Sequence, residues 1–578
     1  MNIWKKIAAI LLVLTLASGM LPAAFAQTVG GEEPAAGDIV ILYTNDVHCA
    51  VDAITDKDGK LTNIGYAGVA AYRDEMAALV GAENVTLLDA GDALQGDAIG
   101  TMSKGSYLVD IMNQMGYTLF VPGNHEFDYG MARMQELMGQ MKAKVISSNF
   151  TDLKENKLVF APYALLTYGE RKVAFVGITT PESFTKSTPA YFQDESGAYI
   201  YGFCESNNGQ ALYAAVQAAV DAARSEGADT VIAVGHLGID TQSSPWRSTD
   251  VIANTTGIDA FIDGHSHSTE ESELVPNKDG SKQVVLTQTG TKLANIGRMI
   301  LKADGTIEAR LISGYTQQNL DTLAFITDIE NKFAADLAQN VGHTDVALTV
   351  NDPATGNRRV RTGETNLGDL CADAYRYVLG NGKTGDEYGP ADIAFVNGGG
   401  VRADIDTGDI TFGEVISVHP FNNVGCVVEA TGQEILDALE MAARLVPEEN
   451  GGFLQVSGLS YTIDTSVAST VETDDKKSFM KVAGERRVKD VLVDGEPIDP
   501  AKTYTLASHN YMLLDGGDGI NMFRNNTVVV QPVILDNQVL ITYIQDYLNG
   551  TVGVDYADPY GQDRIQVLTE DAAEDKAA

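Results

Sequence analysis

Pro122-Gly123-Asn124-His125-Glu126-Phe127-Asp128 follows without a break on the apolar run Leu119 to Val121. A short apolar run that ends abruptly in polar residues reads as a buried strand whose carboxyl end carries polar side chains. The same arrangement recurs on both sides of this one. Ile39 to Tyr43 runs into Asn45-Asp46-Val47-His48, and Val85 to Leu88 into Asp89-Ala90-Gly91-Asp92. Val231 to Val234 ends in Gly235-His236, and Ala260 to Ile262 in Asp263-Gly264-His265-Ser266-His267. Val173 to Val176 and Val284 to Leu286 are further runs of this kind. Ala211 to Glu226 has apolar residues at helical spacing and stops at Gly227. Strands alternating with helices define an α/β domain. In open α/β sheets the loops at the carboxyl ends of strands converge on one crevice, which predicts that these Asp, Asn and His residues meet.

Taken singly, an Asp-x-His or a Gly-Asp is ordinarily a turn. Five such segments on the same side of one sheet call for another explanation. Imidazole suits first-row divalent metals, and carboxylates add negative charge and can bridge two ions.

In this order, Asp-x-His, Gly-Asp, Gly-Asn-His-Glu-Phe-Asp, Gly-His and Gly-His-Ser-His resemble the signature of the calcineurin-like metallophosphoesterases. The resemblance implies two divalent ions, Zn, Mn or Co. One would be held by Asp46, His48, Asp92 and His267, the other by Asp92, Asn124, His236 and His265, with Asp92 as the bridge. His125 would then be no ligand. Paired with Asp128, it would stabilise the transferring phosphoryl group or protonate the leaving oxygen.

The second half carries Arg361-Thr362-Gly363-Glu364-Thr365-Asn366, Asn397-Gly398-Gly399-Gly400-Val401-Arg402, His419-Pro420-Phe421-Asn422-Asn423 and Gly516-Gly517-Asp518-Gly519. Glycines at 398–400 let backbone approach a ligand closely, and arginines hold phosphate with forked donors. These segments are similar to the C-terminal domain of the 5′-nucleotidase and UDP-sugar hydrolase family. The resemblance implies that Arg361, Arg402 and Asn397 contact the phosphate or ribose side of a nucleotide. Phe421 would form one face of a base sandwich, and Asp518 would bond the ribose hydroxyls. Counting back from Asp518 places Met512 where relatives carry the second ring, with Tyr511 as the adjacent alternative.

The implied fold is α/β: an α/β/β/α metallophosphoesterase sandwich over residues 38–320 and a second α/β substrate-recognition domain over 342–568. Between them lies a linker helix at 321–341, with an amphipathic pattern from Asp328 to Val341. Helices are expected at Thr365 to Leu379, capped by Thr365 or Asn366, and at Gly432 to Leu445. A strand is expected at Ile393 to Val396 and a polar surface loop at 469–478. The implied reaction is hydrolysis of nucleoside 5′-monophosphates, with UDP-sugars and 2′,3′-cyclic nucleotides in the related range. A metallophosphoesterase for non-nucleotide esters is the alternative that Met512 keeps open. A non-catalytic surface binding protein on the same fold would have lost a ligand or the His125–Asp128 pair, and both are present. Relatives rotate the second domain, so a structure with Phe421, Arg361 and Arg402 far from the metals is expected.

The 578-residue chain has 40 basic and 79 acidic residues, a net charge of −39. That balance argues against a nucleic acid polymer as partner. An anionic substrate must therefore meet local cations, either bound metals or placed arginines. Cys49, Cys204, Cys371 and Cys426 form no Cys-x-x-Cys pair, which argues against a zinc–thiolate site. Lys5 and Lys6, the apolar run Ile7 to Ala17 and Ala24-Phe25-Ala26 read as a signal peptide over residues 1–26, with Gln27 as the mature start. The expected location is secreted, periplasmic or cell-surface. No later apolar stretch reaches spanning length, and no lipid-attachment motif is expected at the C-terminus.

Overall fold

Ile39–Thr44 is buried at every position, as a strand covered on both faces must be. In the computed structural model, which describes residues 33–568 apart from 57, 195 and 384–388, this strand sits inside a six-stranded sheet. The export signal read over residues 1–26 and the charged tail read over 570–578 lie outside the described residues. Ile39–Thr44 pairs in parallel with Val85–Asp89, which continues through Leu119–Phe120 to Lys144–Val145. Its other edge is antiparallel to Asn295–Leu301, followed by Ile307–Ser313. A second six-stranded sheet has four parallel strands, Arg171–Thr179, Thr230–His236, Ala260–Ile262 and Gln283–Thr289. Antiparallel strands Tyr163–Tyr168 and Thr269–Pro276 flank them.

The two sheets pack face to face through Ile41, Tyr43, Leu88, Phe175, Ile232 and Ile262. Helices Gly65–Val80 and Ser106–Met115 cover the outer face of the first sheet with Met76 and Met112. Gln210–Ser225 and Ser248–Asn254 cover the second with Val216, Val220 and Val251. This is the α/β/β/α sandwich expected, and both sets of parallel strands end at the same place.

The linker differs from its expected form. A helix runs from Leu320 to Asn331, capped by Asn319, whose side chain accepts from the Thr322 N–H. Ile326 and Ile329 bury in the core of the first domain, against helices Gly65–Val80 and Ser106–Met115. The chain leaves helical geometry at Phe333, which has φ −129° and ψ 3°. Only a short turn, Ala334–Leu337, follows. Asn340–Thr344 is already a strand of the second domain, paired with Gly408–Thr411 and Thr551–Val552. The helix expected from Asp328 to Val341 thus starts earlier and ends at Asn331, and its apolar side belongs to the first domain.

The second domain is built on a sheet in the order Leu454–Ser457, Ile393–Asn397, Thr503–His509, Val424–Thr431 and Val528–Leu535. Alternation along Ile393–Asn397 sends Ile393 and Phe395 to one core and Ala394 and Val396 to the other. Helix Asn366–Leu379 covers one face, with the Thr365 hydroxyl accepting from the Gly368 N–H as its cap. Helix Gly432–Ala443 covers the other and opens on a capping box between Thr431 and Glu434. The segment expected as a loop at 469–478 contains a strand, Val471–Thr473, paired with Phe479–Val482. Its tip reaches the first domain: Lys476 pairs with Glu205 at 2.6 Å and lies over the rings of Phe184 and Tyr199. All four cysteines are free thiols. Among the described residues no helix is long and apolar enough to cross a membrane.

Candidate metal and substrate site

Three of the parallel strands that meet the crevice, Ile39–Thr44, Val85–Asp89 and Ala260–Ile262, hand over their polar residues in strained turns. Asp46, His48, Asp92, His265 and His267 all have positive φ, between 46° and 80°. Non-glycine residues avoid this region, and they hold it only where the surroundings over-determine it, often at functional sites. The glycines between them allow close approach. A Cβ on Gly123 would stand 2.3 Å from Asp92 Oδ1 and 2.8 Å from His236 Nε2.

The expected ligands gather in two groups, and Asp92 belongs to one of them and faces the other. The donor atoms of Asp46, His48 and His267 lie within 4.8 Å of one another, as do those of Asp92, His236 and His265. Asp92 Oδ2 is 3.0 Å from His236 Nε2 and 4.0 Å from His48 Nε2, so it faces both groups. His48 Nε2 and His267 Nε2 face each other at 3.0 Å. Burial pushes both imidazoles down, so each is neutral and offers a lone pair. Backbone carbonyls fix two of the rings: His48 Nδ1 donates to Gln95 at 3.1 Å and His236 Nδ1 to Ala90 at 2.8 Å. That leaves both Nε2 atoms turned inward, the usual second layer of a metal-binding histidine. Asn124 Oδ1 is buried without a hydrogen-bond partner, and His236 Nε2 is turned toward the carboxylates of Asp92 and Asp46. An orphaned amide oxygen and inward imidazole nitrogens beside two buried carboxylates are what divalent cations would satisfy, so the residues fit two such ions.

Burial raises Asp46 to about 6 against the pull of His236. Burial would also raise Asp92, but the charges of His236 and His125 hold it well below the usual carboxylate range.

The Gly123–Asp128 segment divides its labour residue by residue. Asn124 faces the ligand groups. Glu126, 1% exposed, accepts from the backbone N–H groups of Asp92, Ala93, Leu94 and Gly123, clamping two ligand loops together. Phe127 anchors the turn in a cluster with Phe150, Phe192 and Phe203. His125 Nδ1 donates to Asp128 Oδ2 at 2.6 Å, and Ser187 Oγ donates to Asp128 Oδ1 at 2.7 Å. Burial alone would lower His125, but the carboxylates of Asp128 and Asp92 reverse this and hold it above its ordinary value. His48, Asp92 and His125 form a third group of donors within 4.8 Å, so His125 also reaches the metal side.

The second domain closes over this face. One cavity of about 480 Å³ is lined by Asp92, Asn124 and His125 from the first domain and by Arg361, Arg402, Phe421 and Asp518 from the second. The Phe421 ring lies 5.6 Å from that of His125, with the Arg402 guanidinium 5.7 Å from Phe421. The separated arrangement expected from the sequence is therefore not the one adopted. Polar contacts across the domain boundary account for this. Thr101 Oγ1 donates to the Pro420 carbonyl at 2.8 Å, Lys186 pairs with Asp518 at 3.2 Å, and Tyr511 Oη donates to the Thr185 carbonyl at 2.6 Å.

Tyr511 lines the cavity while Met512, 1% exposed, packs in the core. The start of helix Asn510–Leu513 turns the tyrosine inward, a rotation that counting from Asp518 does not reveal. Asn397 Nδ2 donates to Asp518 Oδ2 at 2.8 Å. Burial lowers Arg402 to about 10, and burial together with Arg358 and Arg402 lowers Arg361 well below its ordinary value. Arg361 Nε is buried without a partner. Three crowded guanidinium groups around one cavity suit an anion. Sequence reading missed Arg358, Lys186 and Glu182, all of which line the cavity. Arg358, three residues before Arg361, carried the only signal.

Residues 39–269 match the calcineurin-like phosphoesterase family and residues 340–525 the 5′-nucleotidase C-terminal domain. The chain belongs to the metal-dependent phosphoester hydrolases that join these two domains. It is 29% identical over 527 residues to the trifunctional nucleotide phosphoesterase protein YfkN of Bacillus subtilis, covering 84% of this chain but 32% of that longer protein. It is 28% identical over 556 residues to the Homo sapiens 5′-nucleotidase, covering 88% and 89% of the two chains. The crystal structure of a 5′-nucleotidase precursor from Thermus thermophilus superposes with a TM-score of 0.76 at 26% identity, covering 92% of this chain and all of the other.

Proposed function

We propose that the protein hydrolyses nucleoside 5′-monophosphates to nucleoside and phosphate. The observation that carries this reading is the shared cavity: the two donor groups and the arginine, Phe421 and Asp518 side chains face one space. Asp46, His48, Asp92 and His267 would hold one divalent ion and Asp92, Asn124, His236 and His265 the other. When bound, such a pair clamps a phosphoryl group and lowers the pKa of a bound water.

The chain's own residues do the rest. Arg361 and Arg402 neutralise phosphate charge in a chain whose net charge would otherwise repel it. Asn397 and Asp518 hold the ribose, and Phe421 with Tyr511 holds the base. His125, kept protonated by Asp128, gives its Nε2 proton to the leaving oxygen or stabilises charge on the transferring group. A panel of AMP, UDP-glucose, 2′,3′-cyclic AMP and a non-nucleotide phosphate, with Mn or Zn added, tests the reading. AMP should be turned over with the highest kcat/KM, and equal rates on the non-nucleotide ester would overturn it. We further read the protein as exported. Amino-terminal sequencing of the product from culture fluid or cell envelope should begin at Gln27, and an intact Met1 would contradict this.

A further inference from the structure

One further strand end delivers to the cavity a residue that is absent from the donor groups. Arg171–Thr179 runs parallel to Thr230–His236 with Thr179 opposite His236, and three residues past its end stands Glu182. The Thr180 hydroxyl accepts from the Glu182 N–H at 3.1 Å and so sets the turn. The Glu182 side chain is 4% exposed. Its Oε2 accepts from His265 Nε2 at 2.8 Å and from Ser243 Oγ at 2.7 Å. Among the described residues Glu182 belongs to none of the donor groups, whereas His265 belongs to one with Asp92 and His236. Glu182 thus stands one layer outside the expected ligands and engages Nε2 of His265, while Nδ1 has no hydrogen bond among the described residues.

His48 and His236 are each oriented by a backbone carbonyl. His265 sits at φ 80° in a loop whose own backbone supplies no such carbonyl to its ring, and a carboxylate does this work instead. Hydrogen bonding from a carboxylate fixes both the tautomer and the tilt of a metal-binding imidazole and makes it a stronger donor. Given the two-ion reading above, we infer that Glu182 is a positioning residue: with Ser243 as its own anchor, it orients His265 so that Nδ1 faces the ion shared with Asp92, Asn124 and His236.

The test is Mn2+ binding to the metal-stripped full-length protein, followed by calorimetry and elemental analysis, with no substrate present. Glu182→Ala should weaken one of the two ions by about 10- to 100-fold, the effect of losing such a partner, and leave the other unchanged. At limiting free Mn2+ its content should fall from two ions per chain to one. Glu182→Gln keeps the size and one acceptor, so its affinity should lie between alanine and the parent. Thermal unfolding of the metal-free variants shows whether each remains folded. If Glu182→Ala fails to fold, Glu182→Gln is decisive by the same readout. Two ions bound with parental affinity by a folded variant would overturn the inference, as would equal weakening of both. A parent chain that binds no Mn2+ would instead refute the two-ion reading itself.

Discussion

Asp128→Asn isolates what a buried carboxylate does for His125. The pair is short, 2.6 Å, and nearly dry, with side chains 14% and 8% exposed. Asparagine keeps the shape but loses the charge that holds the imidazolium. A hydrogen bond to a charged group contributes about 1.5–3 kcal/mol. At 1.4 kcal/mol per tenfold, kcat on AMP should fall roughly 10- to 150-fold. His125→Ala should fall by about 10²-fold or more, the scale of losing an acid–base or electrostatic group. Because Asp128 acts through His125, the double variant should be no slower than His125→Ala alone. The assay is steady-state phosphate release with Mn2+, and metal content is measured on each variant. Both singles should retain two ions per chain. A kcat for Asp128→Asn within twofold of the parent would refute the reasoning, as would fully additive losses in the double variant. Loss of an ion in His125→Ala would make His125 a ligand.

Exhaustive chelation should abolish turnover, and Mn, Co or Zn should restore it; activity persisting at verified zero metal would remove the mechanism. Phe421→Ala and Tyr511→Ala should each raise the KM for AMP by an amount equivalent to about 1–3 kcal/mol of base stacking. Met512→Ala should instead lower unfolding stability by about 2–5 kcal/mol with KM unchanged, and a KM effect confined to Met512 would reverse the assignment. Buried Asp536 accepts from the N–H groups of Asn537 and Asn423, and burial pushes it up to about 7. A raised carboxyl favours the folded state when protonated, so its contribution is complete below about pH 4 and lost as pH rises through about 7. Urea unfolding of Asp536→Asn should show a shallower stability loss over that window, and slopes identical to the parent would contradict it.

Much of the architecture was legible because parallel strands buried on both faces leave uninterrupted apolar runs. Ile39–Thr44, Val85–Asp89 and Ala260–Ile262 extend their apolar segments by one residue at most. Asp46, Asp92, Asn124, His236, His265 and His267 meet because those strands are parallel, a consequence of topology that motif order already implied. Other features had no such signal. Glu126 looks like a motif acid, yet its carboxylate binds backbone. Glu182 follows its strand in Thr180-Pro181-Glu182, which carries no histidine and reads as an ordinary turn. The strands of the hairpin at 471–482 are only three and four residues long and half-buried, too short for alternation to reveal them. Tyr511 and Met512 are adjacent, and only the helical turn at Asn510–Leu513 decides which ring or thioether faces the cavity.

The most direct test of two ions sharing Asp92 is anomalous diffraction at the Mn edge from crystals grown with Mn2+. Two peaks about 4 Å apart are expected, flanking the Asp92 carboxylate, one against Asp46, His48 and His267 and the other against Asn124, His236 and His265. A single peak, or peaks away from Asp92, would contradict the two-ion site.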